Sequence, residues 1–251
     1  LLIIFVIKFF NTLLDLMMLK VTPLTPSIGA IISEVSLNKD LNSETVEQIY
    51  SALIKHQVIF FRDQNISPES HLRLAKSLGE IDPGHPVYPH VEGHQSIVLL
   101  KNDANNRPDT NDWHKDLTFK PNPPFASILH GVKVPKVGGD TLWASMSEAY
   151  DKLPNGWKEH LEELEAIHDM GTFRNDFYKE GGIDAVNNAL KKVGSAVHKV
   201  IETHPISGLK YLNVNQSFTR NIVNESQGPS DHILQFLFQH ISKPEFQVRF
   251  H

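Results

Sequence analysis

His114 and Asp116, separated by one residue within Trp113-His114-Lys115-Asp116, are the pair in this chain best suited to chemistry. On an extended strand the side chains alternate with a period of two, so the two would point to one side and could reach a single metal ion. An imidazole and a carboxylate make up two-thirds of the facial set, two histidines and one carboxylate, that holds non-haem iron(II) and leaves positions open for substrate and oxygen. With 14 His and 29 Asp plus Glu in the chain, such a triplet also arises by chance, as a surface histidine beside a solvated carboxylate. The flanks speak for a placed pair. Trp113, Leu117 and Phe119 suggest a strand entering a core, and Pro121, Pro123 and Pro124 end it.

Several elements could position that pair. Phe125 to Val134 reads as a partly buried strand, and Gly138-Gly139-Asp140 as a turn feeding a short strand at Thr141-Leu142-Trp143. Ser43-Glu44 opens a helical pattern with Val46, Ile49, Tyr50, Leu53 and Ile54 on one face, and Val58 to Phe61 follows as a buried strand. Ser67-Pro68-Glu69 is a cap followed by proline in the first turn, and that helix runs to Gly79. Ser145 and Glu148 have capping-box spacing for a helix stopped by Pro154. Another helix is expected from Ser230, with Ile233, Leu234, Leu237 and Phe238 turned inward. Gly84 to His90 has neither period and is expected to be a loop stiffened by Pro86 and Pro89, presenting His85 and Tyr88. Without repeats, this order suggests helices packed outside one antiparallel sandwich.

At 251 residues one large domain is the natural expectation. A net charge of -5 with no basic run argues against a nucleic-acid partner. The absence of cysteine excludes disulfides and thiolate metal sites, so a metal must be held by His, Asp or Glu, which suits iron, zinc or manganese. Leu1 to Leu19 is apolar but broken by Lys8, Asn11 and Asp15, short of the ~18 uncharged residues of a spanning helix. Residues 1–17 are therefore expected to be an extraneous leader, residues 18–251 the catalytic domain, and the protein cytoplasmic, with no membrane partner.

His114-x-Asp116, the Pro-Pro turn and Gly-Gly-Asp-Thr-Leu-Trp together resemble the iron(II)- and 2-oxoglutarate-dependent dioxygenases related to taurine dioxygenase. The similarity extends in one register over about residues 20 to 250. It takes in Val21-Thr22-Pro23-Leu24, Phe61-Arg62-Asp63-Gln64, His85-Pro86-Val87-Tyr88-Pro89-His90, Val214-Asn215 with Phe218-Thr219, and Lys243 to Arg249. The resemblance implies a mostly β (α+β) fold with peripheral helices, a double-stranded β-helix of the jelly-roll, cupin-like kind, incomplete at its C-terminus. It also implies Fe(II) held by His114 and Asp116, 2-oxoglutarate bonded by Thr141, and substrate contacts from His85, Tyr88, the Leu117 backbone N–H and the Phe218 ring. The family's asparagine before the Trp-His pair falls on Thr110, with Asn111 one residue later, which puts recognition of a substrate amine in doubt.

In the family the distal histidine ligand and the arginines that clamp 2-oxoglutarate and sulfonate come after the Phe-Gln-Val-Arg segment. His251 falls on a strand before that histidine, and His168, His198, His204, His232 and His240 do not align with it either. The expectation is a fragment without its last strands, inactive as it stands. An intact relative would be a homo-oligomer in which oxygen and 2-oxoglutarate drive hydroxylation beside the sulfonate of a small acid such as taurine, giving sulfite, an aldehyde, succinate and carbon dioxide. Action on a sulfate ester or another small acid, and an inactive binding remnant, remain alternatives. A hydrolytic zinc enzyme of similar fold would need a positioned general base, for which the chain offers no evident candidate.

Overall fold

The structure, a computed structural model, describes residues 18–84, 88–103, 112–171 and 173–251. The chain divides into two compact units, Leu1–Ile81 and Asp82–His251.

In the first unit β1 (Lys20–Pro23) pairs antiparallel with β2 (Ala30–Ser33), and β2 pairs parallel with β3 (Ile59–Phe60). Between them runs α1 (Ser43–His56), and α2 (Pro68–Leu78) follows. Both helices start where the local chemistry dictates. The Asn42 side chain accepts from the Thr45 N–H at 2.8 Å, and Ser67 accepts from the Ser70 N–H at 3.2 Å with proline in the first turn. Ile32, Ile49, Phe60 and Leu74 are buried, so the apolar stripe of each helix and the inner face of the small sheet supply the core.

The second unit carries the candidate site. A hairpin of β4 (His90–Val91) and β5 (His94–Val98) comes first, and further along the chain β6 (Thr141–Ala144) pairs antiparallel with β12 (Gln247–Phe250). The helices α3 (Met146–Asp151) and α4 (Asn155–Glu162) precede a three-stranded antiparallel sheet in which β7 (Glu165–Asp169) lies between β11 (Thr219–Ile222) and β8 (Ser195–Lys199). The hairpin of β9 (Ile201–Thr203) and β10 (Lys210–Leu212) follows β8. The remaining α-helices are α5 (Phe173–Val193), two helical stretches joined through the non-helical Gly181 and Gly182, and α6 (Gln227–Ile241). Ala166, Val200, Leu212, Ile222, Leu237 and Phe246 form the centre of the larger hydrophobic core, which these strands and α6 share.

Four expectations need correction. Residues 113–119 are not a strand: 116–119 form a turn, and Leu117 sits in the left-handed region at φ 57, which no ladder tolerates. Phe125 to Val134 also forms no strand, and Phe125, Leu129, Val132 and Val134 are exposed, because apolar alternation makes a strand only where a neighbouring backbone completes the ladder. The last long helix starts at Gln227 rather than Ser230. Pro229 is tolerated in its first turn, where an N–H has no helical acceptor, and the buried Ser230 hydroxyl instead accepts from the Ile222 N–H at 2.9 Å. Finally, helical residues outnumber strand residues among the described segments, so the fold is mixed α and β rather than mostly β. The expected loop at Gly84 to His90 gives way to β4 at its last residue, and residues 85–87 lie outside the described segments.

Gly171, just after β7, shows how tightly this unit is packed around the site. It has φ 59, its N–H donates to Asp169 Oδ1 at 2.8 Å, and a Cβ placed on it would lie 2.0 Å from the Ser217 carbonyl oxygen. Gly171→Ala combines a left-handed backbone with a backbone clash, so it is expected to cost about 3 kcal/mol in urea denaturation. A loss within experimental error would show that the 169–171 turn can relax. No described helix is long and apolar enough to cross a membrane.

Candidate metal centre

The segment from Asp112 to Lys120 has no ladder of its own, and side chains from residues 211–219 and from the β7–β8 sheet hold it in shape. Gln216 brackets Trp113: its Oε1 accepts from the Trp113 N–H at 3.1 Å, and its own N–H donates to the Trp113 carbonyl at 3.0 Å. The Trp113 ring packs against the larger core. Lys115, itself exposed, is tethered by contacts at its tip, with Nζ 3.4 Å from Asn213 Oδ1 and 5.1 Å from the centre of the Tyr211 ring. Burial lowers the Lys115 pKa, and nearby Glu202 opposes that shift. The Tyr211 hydroxyl donates to Glu202 Oε2 at 2.6 Å, and burial, reinforced by that bond, raises its pKa.

With Trp113 and Lys115 anchored in this way, the residues beside them face outward together. His114 Nε2 lies 3.5 Å from Asp116 Oδ1, and the two side chains are 41% and 56% exposed. The pairing expected of a strand is therefore produced by a turn. His114 Nδ1 lies 3.1 Å from the Asp112 carbonyl oxygen, which can only accept, so Nδ1 carries the ring proton in the neutral imidazole. Its Nε2 lone pair then faces a carboxylate oxygen. Asp116 Oδ2 is oriented by the Ser127 hydroxyl, which donates to it at 2.9 Å. Each first ligand atom thus has an outer partner that fixes its direction, as metal ligands usually do.

These residues fit a divalent metal. Two facing lone pairs repel unless a cation lies between them, and two ligand atoms each about 2.1 Å from a metal at a right angle stand about 3 Å apart. The observed 3.5 Å needs only a small closure of two exposed side chains. Among the described residues no group of three or more His, Cys, Asp or Glu is placed to share one ion. His251 is taken up elsewhere, with Nδ1 2.8 Å from Asp140 Oδ1.

The other expected site residues fall into separate places. Tyr88, Leu117 and Phe218 share a second hydrophobic cluster with Phe119, Met170 and Phe173. In it Tyr88 meets Phe173 edge-on at 5.6 Å, and Phe119 meets Phe218 edge-on at 5.5 Å. Leu117 and Phe218 are buried there. Leu117 directly follows Asp116, so this cluster adjoins the His114–Asp116 pair through the chain itself. Thr141 belongs to neither group. It is the exposed first residue of β6, opposite Phe250 of β12. His85, Thr110 and Asn111 lie outside the described residues.

Several residues around the pair had no assigned role from the sequence. Thr118 is buried beneath the turn, its hydroxyl 3.0 Å from His168 Nδ1 and accepting from Asn215 Nδ2 at 3.2 Å. Its carbonyl accepts from His198 Nε2 at 2.7 Å. Asp169, beside His168, is paired with Arg174 and, at 2.7 Å, with Arg220. Val214-Asn215 and Phe218-Thr219 stood out as motifs, yet only the fold shows that Asn215 serves a residue nearly a hundred positions earlier.

Residues 20–251 match the family described as taurine catabolism dioxygenase TauD, TfdA family. A Pseudomonas putida alpha-ketoglutarate-dependent sulfate ester dioxygenase is 36% identical over 236 residues, covering 92% of this chain and 77% of that protein. An alkylsulfatase of Acinetobacter baylyi is 34% identical over 241 residues, with 92% and 73% covered. Among solved structures, a taurine dioxygenase from Burkholderia xenovorans superposes with a TM-score of 0.77 at 34% identity, covering 92% of this chain and 75% of the other.

Proposed function

Because the chain belongs to the taurine catabolism dioxygenase TauD, TfdA family, we propose that it is an iron(II)- and 2-oxoglutarate-dependent dioxygenase that oxidises a small organic sulfonate, such as taurine, or a sulfate ester. The observation that carries this reading is the His114–Asp116 pair, with Nε2 3.5 Å from a carboxylate oxygen and an outer partner on each side chain. The two relatives named for sulfate esters favour the ester among the substrates.

Iron(II) and 2-oxoglutarate, when bound, supply the oxidation itself, consuming oxygen and releasing succinate and carbon dioxide. The work of this chain is placement. His114 and Asp116 would hold the metal, with the Asp112 carbonyl fixing the imidazole tautomer and Ser127 the carboxylate. Tyr88, the Leu117 backbone N–H and the Phe218 ring are assigned to the substrate on the family resemblance, and Tyr88, edge-on to Phe173, with Phe218, tilted against the same ring, would give that side an apolar wall that excludes water. Thr141 is assigned to the cosubstrate carboxylate and His85 to the anionic head of the substrate, both on the family resemblance. A double-stranded β-helix, residues 18–251 as one catalytic region, homo-oligomeric assembly and action in the cytoplasm belong to the same proposal.

The substrates separate by product. Hydroxylation of the carbon beside a sulfonate collapses to an aldehyde and sulfite, whereas hydroxylation of the carbon bearing a sulfate ester gives an aldehyde and sulfate. Succinate, sulfite and sulfate should be measured on the full chain with iron(II), 2-oxoglutarate and, in turn, taurine, a longer alkyl sulfonate and an alkyl sulfate. Succinate that none of these raises above its substrate-free level would refute the substrate class. His85→Ala is expected to raise the apparent KM of the preferred anion about tenfold, as loss of one charge-assisted hydrogen bond should. Unchanged KM and turnover would remove His85 from the site.

A further inference from the structure

Local backbone structure does not set the His114–Asp116 spacing, because the turn over 116–119 has no strand partner and passes through a left-handed Leu117. Its fixed point is Thr118, two residues beyond Asp116 and 1% exposed. Both polar groups of Thr118 are held from outside the turn. The hydroxyl accepts from Asn215 Nδ2 at 3.2 Å and lies 3.0 Å from His168 Nδ1, while the carbonyl accepts from His198 Nε2 at 2.7 Å. The partners are themselves fixed. Asn215 Oδ1 accepts from the Phe218 N–H at 2.9 Å, the Asn215 N–H donates to Thr219 Oγ1 at 2.9 Å, and His168 and His198 stand edge-on at 5.1 Å on the neighbouring strands β7 and β8.

The proton count closes around one arrangement. With the Asn215 amide donating to Thr118 Oγ1, the Thr118 hydroxyl proton is free to go to His168 Nδ1, which accepts in the neutral tautomer that carries its proton on Nε2. A fully buried imidazole with no carboxylate partner stays neutral, so this acceptor persists. Rotating the Thr118 hydroxyl away would give up that buried bond, although the Thr219 hydroxyl also lies 3.5 Å from His168 Nδ1 and 3.4 Å from its Nε2.

We propose that Thr118 is a positioning residue for the metal pair: Asn215, His168 and His198 lock its hydroxyl and carbonyl, and that lock sets Asp116 opposite His114 at chelating distance. The inference rests on the metal-site reading above, and its test separates the two. Thr118→Val keeps the shape, removes the hydroxyl and leaves the carbonyl bond to His198, whereas Thr118→Ser restores the hydroxyl. Cobalt(II) serves as the probe, titrated into the full chain by its visible absorption well below the melting temperature, with melting followed in parallel.

Thr118→Val is expected to raise the cobalt(II) dissociation constant about tenfold or more, the usual effect of losing an outer partner, while Thr118→Ser stays within about twofold of wild type. A purely structural hydroxyl would lower the melting temperature and leave cobalt(II) affinity of the folded protein unchanged, and that result would overturn the proposal. Thr118→Ala, which removes the same hydroxyl without leaving a methyl group against the imidazole, is read in the same way if Thr118→Val does not fold. Failure of both to fold would also overturn it, since the hydroxyl would then be a requirement of the fold. If wild type binds no cobalt(II), the metal-site reading falls together with the inference. If wild type binds and the variants bind equally, only the inference falls.

Discussion

Asp116→Ala and His114→Ala should each weaken iron(II) or cobalt(II) binding by more than about 100-fold, beyond the range seen for outer partners. The reason lies in the geometry of the pair. The Nε2 lone pair of His114 faces Asp116 Oδ1 at 3.5 Å, and each variant removes one of the two atoms a cation would bridge. Coupled succinate formation should fall by at least about 10²-fold, because a metal held by fewer protein ligands no longer sits where substrate is delivered. Ser127→Ala is the graded control. It deletes only the donor to Asp116 Oδ2, so it should cost about tenfold in affinity. Metal affinity that survives Asp116→Ala unchanged would leave the pair as an ordinary exposed ion contact, of the kind worth ~0–1 kcal/mol.

Acidification should destabilise the protein through His168. Burial, with help from the neighbouring charges of His198 and Lys115, pushes its pKa down to about 3, so the folded ring is neutral where an unfolded one titrates near 6.5. Between those values the unfolded chain binds the extra proton. The stability contributed by neutral His168 is therefore complete above about pH 6.5 and falls as pH drops, by up to about 1.4 kcal/mol per unit and on the order of 5 kcal/mol by pH 3. Burial also lowers the pKa of His204 and His240, which act in the same direction. Urea denaturation at pH 7 and pH 5 should differ by about 2 kcal/mol from His168 alone. His168→Gln, which can hydrogen-bond to Thr118 but does not titrate, should flatten that dependence. Equal slopes in wild type and His168→Gln would show that His168 is not the source.

Much of the scaffold could be read along the chain because its signals are local. Asn42 and Ser67 cap their helices through bonds to residues three positions on, and the turn at Gly138-Gly139 takes positive φ at both glycines and releases β6 at Thr141. Signals of this kind can also fail. Phe125 to Val134 has the alternation of a strand without becoming one.

The sequence by itself determined which groups could bind a metal, how far apart they stand along the chain, and the family through a register of motifs running nearly its whole length. Tertiary structure alone decided the shape that brings those groups together. His114 and Asp116 converge on a turn, and the groups that hold the turn, Gln216, Asn213, Asn215, His168 and His198, come from about 50 to 100 residues away. Buried polar groups must be satisfied, but any donor that folding brings within reach can satisfy them, so their partners leave no period or spacing in the sequence. For the same reason the contact of His251 with Asp140 arises only once β12 has paired with β6.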